Sequence, residues 1–139
     1  MGIGIPKPTE IQREIEQMQS QKWEVEQNKL RIKEALNELR SRRGEIEGNL
    51  TELENKMQMQ LPAEFRAQLA ERISMLKNAK KQIESQINDF ENKLAMLVST
   101  KESINTAISA RKSVLQQIAG AIAQRIPHLA NRELGRVSG

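Results

Sequence analysis

The chain of 139 residues contains no cysteine and no tyrosine, and it has only two phenylalanines and one tryptophan. Without cysteine, neither a disulfide framework nor a thiolate metal site can form. Aromatics at 2% leave a compact core without the side chains that usually supply most of its buried area. His128 is the only histidine and Asp89 the only aspartate. A tetrahedral zinc site would therefore rest mostly on glutamates, and no metal or other cofactor is expected. No apolar run approaches the roughly 20 residues that span a bilayer. Met1 to Pro8 lacks the basic stretch and apolar core of a signal peptide. The chain is expected to be soluble, in the cytoplasm or within a particle.

Proline is scarce as well. Pro6, Pro8, Pro62 and Pro127 leave two long stretches between them without any. The first of these carries an apolar residue every seven positions: Ile11, Met18, Val25, Ile32, Leu39, Ile46 and Leu53. Taking this series as heptad position d, position a reads Ile15, Lys22, Lys29, Leu36, Arg43, Leu50 and Met57. The second stretch repeats the pattern, with d at Leu69, Leu76, Ile83, Phe90, Leu97, Ile104, Arg111, Ile118 and Arg125. Its a series is Ile73, Lys80, Ile87, Leu94, Lys101, Ile108, Leu115 and Ile122. Such runs exceed the three or four heptads that identify a coiled coil.

The two series are out of phase by two residues, and the change falls at Gln60–Leu61–Pro62. A short connection there makes the helices antiparallel neighbours. The spacing predicts an all-α fold, a long antiparallel two-helix coiled-coil hairpin packing into a larger helical bundle by oligomerisation. The expected segments are an extended N-terminus over 1–8, a helix over 9–59, a turn over 60–62, a helix over 62–126 and a tail over 127–139. Thr9 and Gln12 form a capping box at the first helix start. Pro62 belongs in the first turn of the second helix, and Pro127 stops it. Ser99 with Glu102 could cap internally, but the heptads run through them and predict one continuous helix.

Folding between Met59 and Gln60 sets Ile11 against Ile108, Ile32 against Ile87 and Leu50 against Leu69. Each seam cation then faces an apolar residue, with its stem on the seam and its charge in water. At about 1.5 Å per residue the first helix is on the order of 75 Å long and the second nearly 100 Å. In this register the second helix outruns the first from about Arg111 onward, and its apolar face widens there. Val114, Leu115, Ile118, Ala121, Ile122 and Ile126 are the expected partner-binding residues, because a wide apolar stripe left in water is costly. The competing expectation is that Ile3, Ile5 and the tail from Ile126 to Leu129 fold back over it. Trp23 and Leu30, seven apart at b positions, form a second candidate surface, since Trp is favoured at binding hot spots. Scattered surface apolar residues are the alternative. Gly44 and Gly48, on the outer face of the first helix, mark either a close backbone approach or tolerated surface glycine.

Charge is uneven along the chain. Residues 1–60 carry ten basic and eleven acidic side chains, a balance of −1, whereas residues 61–126 carry ten and six, a balance of +4. Arg111, Lys112, Arg125 and Arg132 lie in a C-terminal region without acidic residues from Ser103 to Arg132, and they are the candidate phosphate contacts. The stacking aromatics or motif that would accompany nucleic-acid binding are missing. The small Ala, Gly and Ser residues of this segment do not suit a membrane-surface helix. Gly2 and Gly4 precede no strand and make no phosphate-cradling loop. The glutamates recur at spacings that suit pairing with Lys or Arg on solvated helix faces. The sequence thus predicts a protein without catalytic, cofactor or metal residues. It is expected to be a structural or assembly component that self-associates, forming a homo-oligomer, or docks onto a larger complex such as a virus or phage particle or a secretion machine. The alternatives are a nucleic-acid-binding helical dimer and a small regulator or inhibitor that docks on another protein.

Overall fold

A computed structural model describes residues 7–125, with the side chain of Arg125 excepted. Two helices account for nearly all of them: α1 from Pro8 to Met57 and α2 from Ala63 to Arg125, packed against each other as an all-α hairpin. Among the described residues there is no strand.

Local chemistry sets the helix ends. Pro8 opens α1, where its fixed φ suits the first helical position and its missing N–H leaves no donor unpaired. The Lys7 carbonyl accepts from the N–H groups of Glu10 (3.0 Å) and Ile11 (3.2 Å), so Lys7 is the capping residue. The expected Thr9–Gln12 box does not form, because Thr9 already lies inside the helix. At the other end α1 stops at Met57, two residues short of the expected Met59. The Gln58 and Met59 N–H groups donate to the carbonyls of Asn55 (3.2 Å) and Lys56 (3.1 Å), a tightening that closes the last turn. Pro62 stands just before α2 rather than within its first turn, and its carbonyl accepts from the Arg66 N–H (3.1 Å). The Arg66 guanidinium donates to the Met59 carbonyl (3.4 Å) and ties the connection to α2. From Ala63 onward α2 runs unbroken through Ser99.

The hairpin comprises two compact units. Among the described residues, unit 1 takes 7–27 and 98–125, and unit 2 takes 28–97. In unit 1, Ile11, Ile15, Ile108 and Leu115 are buried together, with Met18, Ile104 and Ile118 packed against them. In unit 2, Leu36, Leu39 and Ile87 are buried, flanked by Ile32, Ile83, Phe90 and Leu94. The described a and d side chains of both helices are all buried or half-buried, the cationic ones included.

Ion pairs across the helices fix the register. A fold between Met59 and Gln60 would set Glu14 opposite Asn105 and Glu47 opposite Arg72. The structure instead pairs Glu14 with Arg111 (2.7 Å) and Glu47 with Lys80 (3.6 Å). Arg40 with Glu91 (3.1 Å), Glu54 with Lys77 (4.0 Å) and Glu26 with Lys101 agree with this displacement. The register differs from the expected one by one heptad, which sets Ile11 beside Leu115 and Leu39 beside Ile87 within their clusters. A seam of period seven is unchanged by a slide of seven residues, so periodicity does not choose between the two. The slide brings Leu115 under cover, and the connection spans Gln58 to Pro62 rather than three residues.

Candidate interaction surfaces

The observed register changes the α2 end on which binding was expected. Arg111 is not beyond α1: it is half-buried, donates through Nε to Glu14 at 2.7 Å, and reaches back to the Ala107 carbonyl (3.5 Å). Leu115 is 6% exposed within the cluster that includes Ile11 and Ile15, so it is a core residue and not a docking residue. Ile118 packs on the same cluster and is half-buried. Ala119, on the e side, is buried as well.

What remains open lies on the g side. Val114 is 37% exposed and Ala121 is exposed, with Ile118 and Ile122 half-buried beside them. Spaced by three, four and seven, Val114, Ile118 and Ala121 share one helix face. Lys112 is exposed, whereas Ile126, Arg132, His128 and the segments expected to fold back lie outside the described residues, as does the Arg125 side chain.

Trp23, in unit 1, is 65% exposed, and Leu30, in unit 2, is 51% exposed. Nothing in the chain lies within 4 Å of a Cβ built on Gly44 or Gly48, so neither glycine serves a close approach within the molecule.

Sequence periodicity did not reveal a further surface at the turn end of unit 2. Met59, Phe65 and Met75 are there, each more than half exposed. Phe65, Leu69, Arg72 and Met75 line a shallow groove of about 420 Å³. Leu53, Lys56, Arg72 and Leu76 border a second of about 450 Å³, which shares Arg72 and Met75 with the first. A composition cue was present, since Met57, Met59 and Met75 fall close to the only aromatic residue of that region, Phe65.

Among the described residues no group of three or more His, Cys, Asp or Glu is placed to hold a metal ion. None of the described helices is long and apolar enough to cross a membrane. Comparison with known protein families, with curated proteins and with solved structures finds no match to this chain.

Proposed function

We propose that the chain is a non-catalytic assembly protein that docks onto a larger complex through the C-terminal part of α2. The observation that carries this reading is the continuation of α2 to Arg125, past Ile118, with Val114 and Ala121 in water and Ile122 beside them. An apolar strip of that spacing suits a partner helix laid along it, with anchors at i, i+4 and i+7. The surface is narrower than the sequence led one to expect, because Leu115 and Ala119 are already covered. Trp23 supplies a second exposed anchor in the same unit.

The test is affinity capture from native extract with wild-type chain and a Val114→Asp/Ile122→Asp variant, the captured proteins being identified by mass spectrometry. The docking reading requires a partner retained by the wild type and lost from the variant, with far-ultraviolet circular dichroism unchanged between the two. A partner captured equally by both would move the interface elsewhere, and a collapse of helicity would place these residues in the fold's own core. Nucleic-acid binding by the basic end has less support, because Arg111 already engages Glu14. It predicts affinity for a DNA or RNA duplex that falls steeply with salt and drops further in Arg111→Ala/Lys112→Ala.

A further inference from the structure

The two helices differ in length: α2 has 63 residues and α1 has 50, a surplus of 13. The observed register divides that surplus almost evenly. In unit 2 it sets Met57, the last residue of α1, level with Leu69, so residues 63–68 of α2 reach past that end. In unit 1 it sets Pro8, the first residue of α1, level with Ile118, so residues 119–125 reach past the other. A slide of α2 by one heptad toward the start of α1, a move of about 10 Å, gathers the surplus on that side. All but the last residue of α1 would still have α2 beside it. The connection allows this slide and opposes the reverse one. From Met57 to Ala63 the chain spans at most about 20–22 Å when fully extended. The observed register needs about 9 Å along the axes and roughly 8–10 Å across them. The slid register needs only the distance across. The reverse slide would need nearly 20 Å along the axes, about the whole reach of the connection, and would break the hydrogen bonds of the Gln58 and Met59 N–H groups.

We infer that the hairpin exchanges between the observed register and the slid one, with α2 moving as a whole. The seam does not oppose the move, because a slide of one heptad keeps d against a. Each seam cation again faces an apolar residue: Lys80 meets Leu39, Arg43 meets Leu76 and Lys101 meets Met18. In unit 2 the ion pairs are exchanged rather than lost. By the same e-to-e spacing that joins Arg40 to Glu91, Arg40 comes to Glu84, Glu47 to Lys77 and Lys33 to Glu91, while the Glu54 pair is broken. In unit 1 the Glu14–Arg111 and Glu26–Lys101 pairs are broken, which makes the observed register the more populated. Both are partly exposed, so they hold α2 only weakly. The tie from Arg66 to the Met59 carbonyl, at 3.4 Å, is long and weak as well. Burial shifts from one end to the other: Leu115, 6% exposed, is carried past Pro8, and Phe65, 58% exposed, comes alongside α1. A partner laid along Val114, Ile118 and Ala121 would then gain Leu115, and so draw α2 into the slid register. That use rests on the docking proposed above, whereas the slide itself does not.

Crosslinking within the full chain by a short bis-maleimide tests the slide with no partner present. The chain has no cysteine, so each variant carries only the two thiols introduced. Leu39→Cys/Lys80→Cys faces across the seam only in the slid register, and Leu39→Cys/Leu94→Cys only in the reverse one. In the observed register Leu39 is beside Ile87, and Lys80 and Leu94 lie seven residues to either side of it, both half-buried. The first pair should crosslink at least about tenfold faster than the second, because an irreversible reaction collects a register populated at even a few per cent. Glu14→Gln/Glu26→Gln leaves unit 2 untouched and removes pairs that only the observed register makes. It should speed the first pair by about fivefold and leave the second unchanged, with circular dichroism as in the parent chain. Equal rates for the two pairs would overturn the inference. So would a first pair indifferent to Glu14→Gln/Glu26→Gln, which would mean that unit 2 loosens by itself. A slide detected while native extract yields no partner would support the inference and sink only the docking.

Discussion

Gly44 and Gly48 show how far a single residue's role can be read from its surroundings. Each sits in the interior of α1 with a negative φ and open space where a Cβ would be. Glycine there contributes neither a left-handed conformation nor a close contact within the chain, only backbone freedom that folding must remove. Gly44→Ala and Gly48→Ala should each stabilise the fold by about 1 kcal/mol, read as a higher urea midpoint at unchanged slope. No gain, or a loss, would show that another backbone approaches these positions in an assembly. Arg111 makes the opposite case, a residue engaged where isolation was expected. Its pair with Glu14 is partly exposed, at 36% and 51% for the two side chains, so solvent screens it. Arg111→Ala should cost under about 1 kcal/mol by the same measurement. A much larger cost would mean that the aliphatic stem, lying at a d position, matters more than the charge.

Across an element, heptad periodicity told a great deal about burial and nothing about register. Lys22, Lys29, Arg43, Lys80, Lys101 and Arg111 are all half-buried, although residue type alone would put each in water. Only their place in the seven-residue series foretells it, because the seam geometry carries whatever side chain stands at a or d. The same regularity hid the pairing, since a shift of one heptad still sets every seam cation against an apolar residue. The choice rests on where α1 ends and on how many residues the connection uses, and both depend on backbone hydrogen bonds around Lys56 to Pro62. The surface at the turn end was illegible for a related reason: Phe65 at g and Met75 at c lie off the seam, so the series does not mark them. The register is open to a direct test. Leu39→Cys/Ile87→Cys, at two buried positions of one cluster, should crosslink rapidly with a short bis-maleimide within a single chain. Leu39→Cys/Lys80→Cys, the pair facing each other in the alternative register, should crosslink far more slowly, and a reversed order would restore that register.

At the scale of the whole molecule, the described residues include no side chain that is fully enclosed. Two helices cover one another on a single face each, so even the best-buried core residues, Leu36 and Ala119 at 2%, reach the surface. Burial of this kind contributes less per residue than a many-layered core does. The stability of such a chain should then depend on its neighbours, because anything that binds the folded state and not the unfolded one adds to it by mass action. If two copies of the chain pair, each tenfold rise in protein concentration adds about 1.4 kcal/mol per dimer, or about 0.7 per chain. For a chain of 139 residues that corresponds to a thermal midpoint higher by roughly 2 °C per decade, from the typical unfolding entropy per residue. Differential scanning calorimetry over two decades of concentration should therefore show a rise of about 4 °C for the wild type. A midpoint that does not move with concentration in the wild type would mean that the hairpin's own seam supplies all of its stability.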